Sequence, residues 1–265
     1  MAVPSSGQLR EYADIGVELG VAQSNVSLRG MSNTAGFSSP DAMSEFYGYS
    51  AATIFDDLDP FNDNSQLALL KLDNNFVNSE TGNTQTSSNV SYVTGLKTLS
   101  NEAIKGSVNS KTNITDLPNR QLQRTVMFWF KKDNITEDEK ELHWDRDGLH
   151  TKIGFYNNLL KAATFNGSTE FFTNGIAVNA NQWYHFALVA NGNTHSLYLN
   201  GANYQDYSQG ENNTGDAGAQ TSLYMYDAFW QSGNASTAAV DSYRYFNRNL
   251  TATEVNTIYV GERDA

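Results

Sequence analysis

Hydrophobic and polar positions alternate along most of the chain, which is the pattern of β-strands. In one segment, Val126, Phe128 and Phe130 alternate with Met127 and Trp129. Because both sets are apolar, we expect both faces of this strand to be covered, as they are inside a sandwich of two sheets. The pattern therefore predicts a mainly β fold in two layers.

Short turns rich in Asn and Gly separate the predicted strands into hairpins. Three dipeptides, Asn157-Asn158, Asn166-Gly167 and Asn191-Gly192, lie between alternating segments. Asn and Gly accept the positive φ angles that a two-residue type I′ turn requires at both central positions. Hairpins of this kind join antiparallel strands, so the turns predict an antiparallel sandwich.

The register of the last hairpin can be predicted from its turn. A two-residue loop at Asn191-Gly192 places Phe186 opposite Leu197 on one face and His185 opposite Tyr198 on the other. The apolar residues then share one face. The two histidines of the hairpin, His185 and His195, lie on opposite faces and cannot bind one ligand together.

The carboxy-terminal segment predicts one more strand and then a single helix. Residues 239–246 have the strand pattern, and Thr251 and Glu254 have the spacing of a capping box. Val255 and Ile258 form an apolar stripe at helical spacing. The helix should be short.

The first fifty residues differ from the rest, because they predict three short helical segments separated by small residues. Their apolar side chains are too few for an independent core, so this module needs another surface to pack on. That surface is either the second domain of the same chain or a partner subunit. The apolar residues concerned are Leu28, Met31, Phe37, Phe46 and Tyr47.

An acidic segment, residues 51–65, follows this module and contains Pro60. The periodicity changes from helical to alternating across it. The predicted organisation is therefore a helical module at 1–50, a connector at 51–65 and a β-domain at 66–265.

Charge and composition narrow the range of partners. The chain has 29 acidic and 17 basic residues, a formal net charge of -12, and no cysteine. Such a charge repels phosphate backbones, so we expect no nucleic-acid partner. The amino terminus lacks a basic leader with a continuous apolar stretch, so we expect no signal peptide and no membrane insertion.

Three segments resemble one known family. NQWYHFALVANGNTHSLYLNG at 181–201 resembles the signature hairpin of the laminin G-like branch of the concanavalin A-like lectin/glucanase superfamily. LALLKLDNNFVNSETGN at 67–83 is similar to the opening strand and loop of that branch, and DSYRYFNRNLTATEV at 241–255 to its closing strand and helix. The resemblance implies an antiparallel jelly-roll sandwich.

Residues 1–50 resemble a different family, the short amino-terminal module of tailed-bacteriophage virion proteins. The start MAVPSSG and the segment SPDAMSEFYGY carry this likeness. It implies a tail, fibre or head-surface component of the virion, made in the host cytoplasm, whose module binds other virion proteins and forms a homo-oligomer. The apolar residues of the module named above would then form the assembly interface.

Catalytic patterns are missing from the sequence. Glucanases of the superfamily carry Glu-x-Asp-x-x-Glu on one strand, because retaining hydrolysis needs two carboxylates close together. The acidic run at 137–141 has no strand alternation and is interpreted as a solvated loop, and no Gly-x-Ser-x-Gly elbow occurs. We therefore expect a protein without enzymatic activity, and a polysaccharide depolymerase is the alternative.

Calcium is the ion that the laminin G resemblance implies. Asn75 and Asn78 match polar positions of the opening loop of the family, and Asp241 matches the Asp that begins its final strand. Relatives hold the ion with oxygen ligands, which are the ligands that calcium prefers. The alternative is that these side chains cap backbone groups of the loops.

Sugar binding needs exposed aromatic rings beside polar groups. Residues 202–238 are polar and are predicted to form long loops that carry Tyr204, Tyr207 and Trp230. We expect these three residues to contact a glycan of the host surface, although Trp230 also fits a core or interface position. The alternative is an architectural protein without a ligand.

Overall fold

The fold is given by a computed structural model of the chain. It describes residues 59–97, 101–117, 122–133, 140–145, 150–165, 169–192, 194–208, 223–225 and 238–264. The predicted helical module and the connector as far as residue 58 lie outside these residues.

The described residues form antiparallel strands and one helix, numbered here in chain order. The first five strands are β1 (Gln66–Leu70), β2 (Thr86–Val93), β3 (Ala103–Ile114), β4 (Gln123–Lys131) and β5 (Lys140–Asp145). The remaining elements are β6 (His150–Tyr156), β7 (Leu159–Phe165), β8 (Glu170–Phe172), β9 (Trp183–Asn191), β10 (Thr194–Leu199), β11 (Ala202–Ser208), β12 (Leu223–Met225), β13 (Ala239–Phe246) and α1 (Ala252–Asp264).

The strands form one hydrogen-bonded path that folds into two layers. Its order is β11-β10-β9-β4-β13-β3-β12-β5-β6-β7-β8, with β1 beside β13 and β2 beside β3. Side chains from β4 and β6, which are far apart in this order, meet between the layers. The rings of Phe130 and Phe155 lie 5.9 Å apart, and Arg124 Nη2 donates to Thr151 Oγ1 at 2.5 Å. These contacts and the antiparallel pairing confirm the predicted β-sandwich.

Strand β13 joins the two layers. Its whole length pairs with β4, but on its other side Ala239 and Val240 pair with β3, whereas Tyr243 to Phe246 pair with β1. The pairing with β4 is irregular between Asp241 and Arg244, and Ser242 has a φ of 48°. A β-bulge of this kind bends the strand and lets it change partners.

The core confirms the pattern predicted for β4. Val126, Phe128 and Phe130 point into the apolar cluster between the layers. Trp129 points the other way and is also buried, with its ring 5.5 Å from that of Tyr259 in α1. The helix is thus what covers the second face of the strand.

The capping box that begins α1 is confirmed. The side chain of Thr251 accepts a hydrogen bond from the amide of Glu254 at 3.2 Å, and Glu254 Oε2 accepts one from the amide of Thr251 at 2.7 Å. This pair satisfies two of the amides that a helix leaves unpaired at its start. No helix in the described part of the chain is long and apolar enough to cross a membrane.

The register predicted for the β9–β10 hairpin is wrong by two residues. Asn191 pairs with Thr194, so the two-residue loop starts at Gly192 rather than at Asn191, and Leu197 faces Leu188 instead of Phe186. The faces are nevertheless as predicted, because a shift of two residues keeps every side chain on its side of the sheet.

The loop predicted after β10 begins instead with a strand. Asn200 and Gly201, with φ angles of 50° and 76°, form a type I′ turn between Leu199 and Ala202. The strand that follows, β11, is mostly exposed and lies at one end of the path. Its polar composition made it resemble a loop.

The described end of the connector contacts the sandwich. Asp63 accepts a hydrogen bond from Arg248 Nε at 2.7 Å, and the amide of Asn247 donates to the carbonyl of Ser65 at 2.9 Å. The ring of Phe61 lies below the guanidinium of Arg248. Residues 59–65 are therefore held against the end of β13.

A buried polar cluster fixes α1 on the outer face of the sheet. Arg244 Nε donates to Glu262 Oε1 at 2.6 Å, and Trp129 Nε1 donates to Glu262 Oε2 at 2.6 Å. Arg244 Nη1 also donates to Gln66 Oε1 at 2.8 Å. Burying a charge is tolerated when an opposite charge and hydrogen bonds surround it, as they do here.

His185 lies inside this cluster without a hydrogen bond to either ring nitrogen from the described residues. Its ring packs against those of Trp129 and Tyr259. Burial, together with the positive charge of Arg244, lowers the pKa of His185 to about 3. The folded protein therefore keeps this histidine neutral, whereas the unfolded chain protonates it near its usual pKa.

We expect His185 by itself to lower the free energy of unfolding as the pH drops below 6.5, because the unfolded chain then binds a proton at this residue that the folded chain excludes. Between pH 7 and pH 4 this one residue should contribute roughly 3 kcal/mol to the loss. Urea unfolding at several pH values measures it. His185→Gln should remove this contribution, so the change in unfolding free energy between pH 7 and pH 4 should differ from wild type by that amount, while Thr253→Ala on the exposed side of α1 should leave the pH dependence as in wild type. Equal slopes for both variants would contradict the prediction.

Candidate functional site

An aromatic patch lies where the edges of the two sheets meet; it comprises Tyr156, Lys161, Phe172, Gly175 and Tyr204. Phe172 in β8 is 41% exposed, and Tyr204 in β11 is 46% exposed. The ring of Tyr156 meets that of Phe172 edge to face, with centroids 4.9 Å apart. Large exposed aromatic side chains offer apolar faces to a ligand, and Tyr also offers a hydroxyl group.

Residues 173–176 connect the two halves of the patch. The hydroxyl of Tyr204 donates to the carbonyl oxygen of Gly175 at 3.2 Å, and the amide of Asn174 donates to Gln205 Oε1 at 3.3 Å. On the other side, the amides and carbonyls of Leu160 and Ile176 pair in both directions. This segment therefore bridges β7 in one sheet and β11 in the other.

Gly175 is required where the segment passes the side chains of β7. Its φ is +31°, and an added Cβ would lie 2.6 Å from Leu159 Cβ and 2.9 Å from Lys161 Cε. No larger residue fits there without a shift of these neighbours. The close approach places Lys161 beside Phe172, with Nζ 5.9 Å from the ring centroid.

Of the three aromatic residues predicted to contact a glycan, only Tyr204 belongs to the aromatic patch. Tyr207 is 8% exposed and its ring stacks on His195, with centroids 5.0 Å apart. This corrects the expectation for Tyr207, because a buried ring cannot serve as a platform for a sugar. Trp230 lies outside the described residues.

Sequence reasoning missed Phe172 and Lys161. Each lies in a strand that was predicted, but their proximity depends on the pairing of Ala163 with Phe172 and on the path of residues 173–176. The one local signal was that Phe171 and Phe172 are adjacent, so one of them has to face away from the core.

Asp241, the predicted calcium ligand of the final strand, lies at the bulge in β13. Its carboxylate is 5% exposed, and Oδ2 accepts a hydrogen bond from the amide of Leu96 at 2.9 Å. Burial raises the pKa of Asp241 to about 7, and the negative charges of Glu262 and Asp73 act in the same direction. A buried carboxyl surrounded by acidic groups gains stability from any cation that can reach it.

Glu102 lies next to Asp241. A Cβ built at Gly95 would be 2.5 Å from Glu102 Cβ and 2.9 Å from Asp241 Oδ2, so Gly95 separates the two acidic residues. Glu102 Oε2 is buried and has no hydrogen-bond partner among the described residues. Buried polar atoms are usually hydrogen-bonded, so this oxygen has the capacity to accept a further donor or to coordinate a cation.

Asn78 and Asn75 make hydrogen bonds within the opening loop and its neighbouring strand, and among the described residues they share no partner with Asp241. Asn78 Oδ1 accepts from the amides of Leu69 and Glu80, both at 3.1 Å, so its two lone pairs are occupied. Asn75 Oδ1 accepts from the amide of Val77 at 3.0 Å. These contacts are those of the capping alternative.

Other predicted residues lie beyond what the structure describes. The apolar residues of the amino-terminal module are among them, and the side chains of the acidic run at 137–141 are not described. Within the described ranges, no three His, Asp or Glu side chains converge in a way that could hold a metal ion.

Comparisons of the chain with known proteins agree with the fold described above. A sequence profile of the concanavalin A-like lectin/glucanases superfamily, laminin G type 3, matches residues 105–256, which is more than half of the chain. A search of curated proteins finds no significant match.

Several solved structures resemble the chain at low sequence identity. Domain 4 of AbnA, an extracellular GH43 arabinanase from Geobacillus stearothermophilus solved in complex with arabinotriose, has a TM-score of 0.55 and 19% identity, over 74% of this chain and 98% of that domain. The binding domain of Paraclostridial Mosquitocidal Protein 1 has a TM-score of 0.57 and 16% identity, over 74% of this chain and 52% of that one. The binding domain of botulinum neurotoxin serotype D has a TM-score of 0.57 and 14% identity, over 75% of this chain and 51% of that one.

The chain spans about half the length of the two toxin domains, and at these identities the likeness concerns the fold alone. The profile match, in contrast, extends from β3 to α1. The chain belongs to the laminin G-like branch of the concanavalin A-like lectin/glucanases superfamily.

Proposed function

We propose that the laminin G-like domain binds glycans and that the whole chain is a structural component of a tailed-bacteriophage particle. The aromatic patch carries the first part, because Phe172 and Tyr204 are large aromatic side chains that remain exposed, at 41% and 46%. Its place at the seam of the two sheets supports binding, since side chains there are not needed to fill the core. Domain 4 of AbnA, solved with arabinotriose, is a protein of this fold with a bound sugar.

In this proposal the laminin G-like domain binds glycans and does not hydrolyse them. The sequence lacks the paired carboxylates of superfamily glucanases, and the patch carries aromatic rings and a lysine in place of an acid and a nucleophile. Two alternative functions, depolymerase and architectural protein, can be distinguished by experiment. A depolymerase would release reducing sugar ends from a polysaccharide, and an architectural protein would bind no glycan.

We expect Phe172→Ala and Tyr204→Ala each to weaken binding to the best ligand on a glycan array by about tenfold, which corresponds to about 1.4 kcal/mol. Each removes a ring on which a sugar can stack. Tyr204→Phe should retain most of the affinity. Leu122→Ala is the matched control, because Leu122 is 46% exposed and lies beside the β9–β10 turn. If wild-type protein binds no glycan on the array, the proposed binding function is wrong.

Calcium is proposed as a structural ion held by Asp241. The residues present fit a hard cation, because Asp241 and Glu102 supply carboxylate oxygens around Gly95 and Glu102 Oε2 lacks a donor. Backbone carbonyls and water would complete the ligand set. When bound, the ion would neutralise the buried negative charge at the bulge of β13.

We expect calcium to raise the melting temperature and a chelator to lower it, because an ion that binds only the folded state stabilises it by about 2.7 kcal/mol at one hundred times its dissociation constant. The effect should be larger at pH 8 than at pH 5.5, since Asp241 must lose its proton to bind. Asp241→Ala should remove the response, while Asp206→Ala on exposed β11 should keep it. A melting temperature indifferent to calcium and chelator would exclude the site.

The amino-terminal module is proposed to attach the chain to other virion proteins and to form a homo-oligomer. Its apolar residues exceed what fifty residues can bury internally, and obligate interfaces are apolar at their centre. A symmetric oligomer would also present several glycan-binding domains outward toward the host surface, which multiplies a weak contact.

We expect Phe46→Asp in the full-length protein to prevent oligomer formation and incorporation into particles, because it places a charge in the apolar interface. The melting of the β-domain should be almost unchanged. Size-exclusion chromatography with light scattering and calorimetry measure the two effects. Normal assembly together with a melting temperature lowered by several degrees would assign the module to the fold of its own chain.

A further inference from the structure

Asn-Gly dipeptides recur in the described part of the chain, and the fold restrains them to different degrees. They are Asn174-Gly175, Asn191-Gly192 and Asn200-Gly201. An asparagine loses its side-chain amide most readily before glycine, because the glycine nitrogen is not shielded by a side chain. The reaction brings this nitrogen onto the carboxamide carbon, so hydrogen bonds to either group slow it.

The fold restrains the dipeptide at the β9–β10 turn. The amide of Gly192 donates to the carbonyl of Leu122 at 3.0 Å, so the attacking nitrogen is engaged. Asn191 Oδ1 accepts a hydrogen bond from Gln123 Nε2 at 3.3 Å. Each of the two groups that must meet is therefore bound to another residue.

The dipeptide at the β10–β11 turn is also held. Asn200 Oδ1 accepts a hydrogen bond from the amide of His185 at 2.9 Å, and the amide of Asn200 donates to the carbonyl of His185 at 2.8 Å. Gly201 is buried against α1, where an added Cβ would lie 2.6 Å from Asn256 Oδ1 and 2.6 Å from Tyr259 Cδ1. The carboxamide and the glycine cannot approach each other without breaking these contacts.

The dipeptide in residues 173–176 is less restrained. The side chain of Asn174 is exposed and makes no hydrogen bond with the described residues. The amides of Thr173 and Ile176, on either side, donate to carbonyls of β7, but the amide of Gly175 donates to no described group. Both reacting groups are therefore less engaged here than at the two turns.

We propose that Asn174 is a site of spontaneous deamidation in the folded protein. The backbone nitrogen of Gly175 attacks Cγ of Asn174, the C–N bond of the carboxamide breaks, and ammonia leaves with the proton of the glycine amide. Water then opens the resulting cyclic imide at either of its carbonyls. The product at position 174 is an aspartate or an isoaspartate.

The modified residue lies in the segment that bridges β7 and β11. An isoaspartate routes the backbone through the side chain and so lengthens the main chain before Gly175. The carbonyl of Gly175 accepts the hydroxyl of Tyr204 at 3.2 Å, and the next residue, Ile176, pairs with Leu160 in both directions. A longer main chain displaces these groups and weakens the bridge. This consequence goes beyond the proposed glycan binding and does not depend on it.

Mass spectrometry of protein aged in mildly alkaline buffer tests the site, because fragmentation of proteolytic peptides locates each deamidation and separates isoaspartate from aspartate. Each rate is divided by the rate of the same dipeptide in protein unfolded with guanidinium chloride, which removes the effect of local sequence. We expect this ratio to be at least about fivefold higher for Asn174 than for Asn191 or Asn200, the factor by which one net hydrogen bond shifts a local equilibrium.

Hydrogen exchange tests the consequence for the bridge. The amide protons of Leu160 and Ile176 should exchange faster in aged wild-type protein than in fresh protein, because their pairing depends on the position of Gly175. Asn174→Gln should keep the fresh rates after the same ageing, since a glutamine has to close a larger ring and reacts more slowly. Asn191→Gln is the matched control and should age as the wild type does.

The outcomes that overturn the inference are distinct from those of the glycan array. A ratio for Asn174 at or below those of Asn191 and Asn200 overturns the site. Unchanged exchange in wild-type protein that carries isoaspartate at position 174 overturns the consequence for the bridge. Faster exchange in aged Asn174→Gln also overturns it, because another modification is then responsible.

Discussion

The domain depends on the bulge in β13, because this one strand holds the two sheets together. Before the bulge β13 pairs with β3, and after it with β1, while β4 stays beside it throughout. Ser242 takes a φ of 48°, a conformation that costs a non-glycine residue on the order of 1 kcal/mol. The carboxylate of Asp241 is consequently buried at the fork, where the amide of Leu96 is its hydrogen-bond donor.

The same strand also attaches the helix. Arg244 lies just beyond the bulge and faces outward, where Glu262 of α1 accepts its hydrogen bond. A buried ion pair contributes little net stability, but it constrains where its two side chains lie, because separating them leaves an uncompensated buried charge. The pairing of Arg244 with Glu262 and Gln66 therefore sets the position of α1 relative to β13 and β1. Sheet closure and helix docking thus both depend on the eight residues of β13.

The sequence predicted those features that depend on neighbouring residues. The double-sided burial of β4, the Asn157-Asn158 turn and the capping box at Thr251 each follow from a few adjacent positions. The β9–β10 register was predicted less well because the turn offers two overlapping pairs, Asn191-Gly192 and Gly192-Asn193, with similar turn chemistry. Side-chain alternation could not separate them, since both keep the same faces.

The candidate site was harder to predict because it depends on exposed edges. β11 carries polar residues on an edge strand and was predicted as a loop, whereas in the strand Tyr204 and Tyr207, three positions apart, lie on opposite faces, so Tyr204 is exposed while Tyr207 is buried. Under the loop prediction, nothing distinguished these two tyrosines. Phe172 and Lys161 become neighbours only through pairing between strands.

The location of the aromatic patch follows from how the sandwich ends. A strand at the edge of a sheet leaves backbone groups unpaired, which invites unwanted association unless something covers them. Here residues 173–176 pair with β7 and receive hydrogen bonds from, and donate them to, side chains of β11, so the seam between the sheets is closed by one segment. Side chains on this segment's flanks do not fill the core. They can therefore be aromatic or charged without a cost in packing, so side chains at the seam can vary while the fold stays the same.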